Sequence, residues 1–404
     1  MLGLLFHSLK TRDYRIYYFV QLISITGTWM QNVAQAWLVY RLSHSSVQLG
    51  LVAFAGLAPV LLLGLLGGVL ADRYPRKTLL ITAQTLAMAQ ALTLAALTLS
   101  GWVQTWHIIA LALVLGIVHA LEMPTRHSFI AQLVPREDLP NAIALNSSIF
   151  NTARFIGPAV AGWLVALIGE GPVFVINAIT FVMVLLGLMM IQAHPAPHDS
   201  QTPRPRLSDA LDYARHQPRI RAALLLLALV SLVATAYSVL MPILSHEVYH
   251  GGAETLGNLL GAAGLGALTA ALRLAYLSGR QRLDVHIGNA AIAAGVGMLA
   301  FSMSHWLWMA LPVLLLIGFS LTTFIASVNT LIQMLVPDTL RGRVMALFSV
   351  LFIGLTSLSN LSAGFVADRI GAPHTVMLFG AITLLVGGIY RWHAPRLERT
   401  AQAA

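Results

Sequence analysis

Two ionisable side chains stand where an apolar chain has no inexpensive place for them. Glu122 lies within WHIIALALVLGIVHALEMPTRHSFIAQ and Arg154 within LPNAIALNSSIFNTARFIGPAVAGW, and both runs read as membrane-spanning helices. On insertion scales a charge at such depth costs about 2.5–3.5 kcal/mol, so it is kept where it is paired or used. His119, Glu122 and Arg126 fall at i, i+3 and i+7, on one helical face near mid-depth. Arg154 lies about fifteen residues, roughly 22 Å, into the next helix, and Glu122 lies thirteen residues before Pro135 on the other side of the intervening loop. Antiparallel neighbours would then bring acid and guanidinium together. Two readings fit. In one, Glu122 and Arg154 form an ion pair that fixes packing. In the other, Glu122, with His119, takes up and releases a proton while Arg154 sets its affinity.

The elements that must hold these groups follow from composition. Of 404 residues, 57% are hydrophobic and 10% charged, against about 25% charged in a soluble domain. Apolar runs of about 20 residues recur from end to end, the pattern of a polytopic helical membrane protein and not the ten-residue alternation of a barrel. The fourth span starts near Trp106 and is expected to run through Pro124 to about Gln132, because membrane helices tolerate proline when neighbours satisfy the freed carbonyl. The seventh is expected as one span from about Arg219 to Ser245. No cleavable leader is expected, since the basic N-terminus runs into an uninterrupted span.

The sequence also repeats itself. Leu133-Val134-Pro135 returns as Leu335-Val336-Pro337, Gly162 as Gly364 and Gly169 as Gly371, a constant offset of 202. At that offset Glu122 meets Phe324 and Arg154 meets Thr356, so the charged machinery is expected in the first half alone. The expected layout is a six-helix half over 1–191, a connector over 192–218 ending in an amphipathic helix near Leu207–Arg215, a second half over 219–392 and a tail over 393–404.

Of the 24 Lys and Arg, Arg41 and Arg369 fall in loops on one side, Arg126, Arg154 and Arg273 in or near spans, and the remaining 19 on the other side. By the positive-inside rule that side is the cytoplasm, which holds both termini and the connector. The net charge of +9 is thereby a topological signal, and nucleic acid is not an expected partner.

The second span ends in GGVLADRYPRK, which resembles the loop between helices 2 and 3 of the major facilitator superfamily, with Pro75 where that family carries glycine. The resemblance implies a gating loop of Gly68, Asp72, Arg73, Arg76 and Lys77, in which Asp72 docks at the N-terminus of helix 11 in one conformation, where a carboxylate suits the helix dipole. ARFIGPAVAG, from Ala153 to Gly162, is similar to the superfamily's antiporter signature, with Ala153 and Ala161 in place of two glycines. Gly157, Pro158 and Gly162 at this spacing let helices approach closely, and the resemblance tilts direction towards efflux. Together with GTWMQNVAQAWLVY, EMPTRHSFIAQLVPREDLPNAIALNS and NTARFIGPAVAG, these motifs resemble the superfamily branch of transmembrane secretion effectors, which includes siderophore and multidrug exporters.

The resemblance implies an all-α membrane protein of twelve transmembrane helices, in two halves related by a parallel repeat, with helices 1, 4, 7 and 10 lining a central cavity. Helix 1 carries a polar face of Gln21, Ser24, Thr28, Gln31 and Gln35, which suits either interhelical hydrogen bonds or a lined cavity. The expected cavity residues are Trp29, Gln31, Asn32 and Gln35 with Thr235, Tyr237, Thr323 and Asn329, a set that fits an amphipathic organic solute better than an inorganic ion. There is no cysteine, no Walker loop, no nucleophile set and no metal-ligand spacing, so neither a cofactor, a metal nor an enzymatic activity is expected. The expected protein is a monomeric exporter in the bacterial inner membrane, working by proton antiport. Uptake, lysophospholipid flipping and a non-transporting scaffold or receptor stay open alternatives.

Overall fold

The computed structural model describes residues 7–192, 207–276 and 283–402. Among them no strand occurs. The long helices are α1 Arg12–Ser43, α2 Ser46–Arg73, α3 Arg76–Leu99, α4 Thr105–Ile130, α5 Leu139–Ile168 and α6 Glu170–Met190. After the connecting helix Leu207–His216 come α7 Pro218–Val248, α8 Ala253–Tyr276, α9 Leu283–Ser302, α10 Leu307–Leu335, α11 Leu340–Ile370 and α12 Ala372–Gln402. Among the described residues eleven helical segments are long and apolar enough to cross a membrane. The one left out is α1, whose row of glutamines, serines and threonines dilutes its hydropathy although its 32 residues are ample in length. The chain is an all-α, multi-pass membrane protein.

α4 runs through Pro124 as expected. Other elements depart from the sequence expectation. α7, expected as one rod, is α-helical over Pro218–Val233, then passes through a 3-10 turn at Ala236–Ser238 and the short piece Met241–Ile243 into a π-helix at Leu244–Val248. Its sequence explains the break. The Thr235 and Ser238 hydroxyls bond the carbonyls of Ser231 and Thr235, competing with the helical ladder, and Pro242 brings no N–H. α11 is interrupted by a π-helix at Val350–Gly354. α12 runs on to Gln402, where a tail was expected from residue 393. The proline- and arginine-rich stretch from Pro195 to Arg206 lies outside the described residues.

The chain forms two compact units. The first comprises Met1–His44, Leu51–Ser200 and Gly251–Gly261; the second comprises Ser45–Gly50, Gln201–His250 and Ala262–Ala404. In the first, α1 packs on α5 and α6, and α3 on α4 and α6; in the second, α7 packs on α11 and α12, and α9 on α10 and α12. The same pairing scheme is thus used twice.

The repeated glycines show why the duplication is still legible. Gly169 and Gly371 end α5 and α11 with φ of 81° and 84°, a region that only glycine enters without strain. Gly162 sits against α8 so tightly that a Cβ would stand 2.5 Å from the Ala253 carbonyl oxygen and 2.7 Å from the Gly257 Cα. A Cβ on its counterpart Gly364 would stand 2.6 Å from Ser46 O and 3.2 Å from the Gly50 Cα. Gly162→Leu is therefore expected to cost about 1–3 kcal/mol of overpacking. Thermal unfolding of the solubilised protein checks this, and an unchanged midpoint would remove the seam's structural role.

Candidate coupling site

The buried acid of the first unit is held by three elements. Glu122 on α4 is 8% exposed and Arg126 is 5% exposed. One turn apart, they form an ion pair with Arg126 Nη1 at 3.2 Å from Glu122 Oε1. Gln84 of α3 donates its Nε2–H to the same oxygen at 3.2 Å. From α5, the Phe150 ring lies 4.6 Å beneath the Arg126 guanidinium, a cation–π contact strengthened by desolvation. His119 and Tyr17 lie within electrostatic reach of both charges. Arg126 Nε and Gln84 Oε1 are buried without a partner. A carboxylate with one guanidinium and one amide donor is thus held among apolar helices with both polar contacts on the same oxygen.

The guanidinium in contact with Glu122 is therefore that of Arg126 and not that of Arg154. Two physical reasons separate the expected pair. α4 ends at Ile130 and residues 131–138 form a turn and the short 3-10 helix Arg136–Asp138, so Glu122 lies only about 12 Å from its helix end, whereas Arg154 lies about 22 Å into α5. In addition, α5 packs along α1 and barely touches α4. Adjacency in sequence misled the depth comparison. Arg154 is half-buried and makes no hydrogen bond or ion pair among the described residues.

The expected cavity residues differ in burial and in their partners. Gln31 is fully buried in a neutral network: its Nε2–H donates to Gln90 Oε1 of α3 at 2.9 Å, and Asn177 Nδ2–H of α6 donates to Gln31 Oε1 at 2.7 Å. Its position ties α1, α3 and α6 together instead of lining an open space. Gln35 is buried with Oε1 unpartnered, Asn32 is exposed, and Trp29 packs against Gly157 of α5. In the second unit Thr235 and Asn329 are half-buried, and Tyr237 and Thr323 are buried.

The motif around Asp72 splits in two. Gly68 has open space around it, and Asp72 and Arg73 are exposed. Arg76 donates to the Ser128 carbonyl near the end of α4 at 3.2 Å, and Lys77 to the Ile191 carbonyl just past α6 at 2.7 Å. Cations at helix C-termini satisfy orphan carbonyls and oppose the dipole.

The sequence reading missed a second buried acid. Asp284 of α9 is 0% exposed, forms an ion pair with Arg219 of α7, and accepts a hydrogen bond from the Tyr390 hydroxyl of α12 at 3.1 Å. The charged machinery is thus not confined to the first half. The only signal was an acid in the first turn of a span, which composition alone reads as a loop residue.

The family described as transmembrane secretion effector matches residues 5–404. The chain belongs to that family. It is 27% identical to the staphyloferrin A transporter of Staphylococcus aureus, covering 90% of this chain and 92% of that protein. It is 25% identical to the multidrug efflux pump Tap of Mycolicibacterium fortuitum, over 94% and 95%, and 28% identical to the enterobactin exporter EntS of Citrobacter koseri, over 96% and 95%. Among solved structures, a bacterial homologue of the human lysosomal transporter Spinster superposes with a TM-score of 0.75 at 13% identity, covering 95% of this chain and 96% of that one. A POT family transporter in complex with 5-aminolevulinic acid gives a TM-score of 0.75 at 11% identity, over 96% and 97%. The chain has the major facilitator fold and is a transporter of that type.

Proposed function

We propose that the protein exports an amphipathic organic small molecule by alternating access, in exchange for protons, with Glu122 as the proton-carrying group. The observation that carries this reading is the carboxylate buried at 8% exposure between Arg126 and Gln84 in a membrane-spanning helix, because an intramembrane acid is costly unless it is used or fully neutralised. The names of the exporter relatives support the direction. The asymmetry of Lys and Arg supports a bacterial inner-membrane location with both termini cytoplasmic, and the protein is proposed to work as a monomer. The gating role of Asp72 and the cavity role of Trp29, Asn32, Gln35, Thr235, Tyr237, Thr323 and Asn329 belong to the same proposal.

The test is reconstitution into liposomes of known orientation with an imposed pH gradient, screened against siderophores, cationic drugs and lysophospholipids. Solute leaving from the cytoplasmic face as protons enter is the expected result. Movement only in the opposite direction, or transfer of lysophospholipid alone, would replace export by uptake or flipping, and no exchange under any gradient would end the reading.

A further inference from the structure

We propose that Arg154 is the docking point for the negatively charged group of the transported solute, and hence that the solute is an amphipathic organic anion. This rests on the export reading for its biological sense but not for its measurement. Within the first unit the interior charges do not balance. Arg126 is taken by Glu122, while the unit's other described acids, Asp13, Asp72, Glu137, Asp138, Glu170 and Glu254, sit at helix ends or in the turn between α4 and α5. One guanidinium is left over, and Arg154 makes no ion pair or hydrogen bond with any described residue.

Neither end of α5 is within its reach. Arg154 is fifteen residues from the start of α5 and fourteen from its end, about 21–22 Å from either, and snorkelling serves only residues near helix ends. Its backbone is fixed on the neighbouring face, where Ala153 packs with Ile25 and Ile149, and Gly157 meets Trp29. Pro158, four residues on, lacks the N–H that would satisfy the Arg154 carbonyl, which loosens the helix there. One turn back, Phe150 provides an aromatic surface next to Trp29 and Leu22. A half-buried, unpaired fork of donors on a helix whose neighbouring positions pack with aromatic and aliphatic side chains suits a carboxylate, sulfonate or phenolate carried on an apolar body. A positively charged solute would meet an uncompensated like charge.

The experiment uses the full chain in lipid nanodiscs and two probes with the same apolar body, naphthalenesulfonate and naphthylmethylammonium, with affinities taken by equilibrium dialysis against empty nanodiscs. In the wild type the anion is expected to bind about tenfold or more tightly than the cation. Arg154→Gln is expected to erase that preference, and Arg154→Lys to keep part of it, since lysine supplies the charge without the bidentate fork. Equal affinities in the wild type, or an undiminished anion preference in Arg154→Gln, would overturn the proposal. Should Arg154→Gln fail to fold, the wild-type ratio and the lysine variant decide. A charge preference that depends on Arg154, in a protein that moves nothing across liposomes, would sink the export reading while leaving this one standing.

Discussion

Glu122→Gln is expected to abolish transport driven by a pH gradient while leaving the folded protein at near-normal abundance in the membrane. The amide oxygen accepts the same two donors, from Arg126 and Gln84, and Phe150 continues to shield the guanidinium. What vanishes is the carboxyl group proposed as the proton carrier. Arg126→Leu is expected to behave differently. It strips a carboxylate of its only guanidinium inside the bundle, and breaking a buried pair from one side costs about 3–5 kcal/mol, so abundance itself falls. Paired measurements of membrane level and of proton-linked flux separate the two. If Glu122→Gln still exchanged protons for solute, the acid would be a packing element and the coupling group would lie elsewhere.

The second large effect is expected at Arg219. Asp284 is fully enclosed, with Arg219 as its cation and Tyr390 as a further donor. Arg219→Leu leaves that carboxylate charged and unmatched where three helices meet, again at about 3–5 kcal/mol, and the solubilised protein should unfold at lower temperature. Adding Asp284→Leu removes the stranded charge and is expected to recover much of the loss, because a buried pair is often replaceable by apolar packing. Failure of the double variant to recover would show that the triad's hydrogen bonds, and not its charge balance, hold α7, α9 and α12 together.

Much of the scaffold could be read directly because the bilayer enforces a simple rule: every backbone group must be satisfied within its own helix. The span limits, the continuation of α4 through Pro124 and the amphipathic Leu207–His216 follow from periodicity and length. Repeated residues were legible for the same reason, since Gly169, Gly371, Gly162 and Gly364 each answer a backbone demand that no other residue meets. Side-chain partnerships were not. Choosing Arg126 over Arg154 for Glu122 required knowing that α5 leans on α1, a fact of assembly that no local pattern carries. Gln31 was read as a cavity residue because a polar face looks alike whether it meets solute or two other amides. The triad at Asp284 joins residues from three distant segments, and only the folded chain brings them together.

The twin glycine contacts have a consequence for how such a chain tolerates change. Each seam closes inside its own unit, Gly162 upon Gly257 in one and Gly364 upon Gly50 in the other. Neither copy can therefore shelter the other from drift. Duplication gave this molecule a second lock and no spare key, so a methyl group gained at either place is felt at full strength.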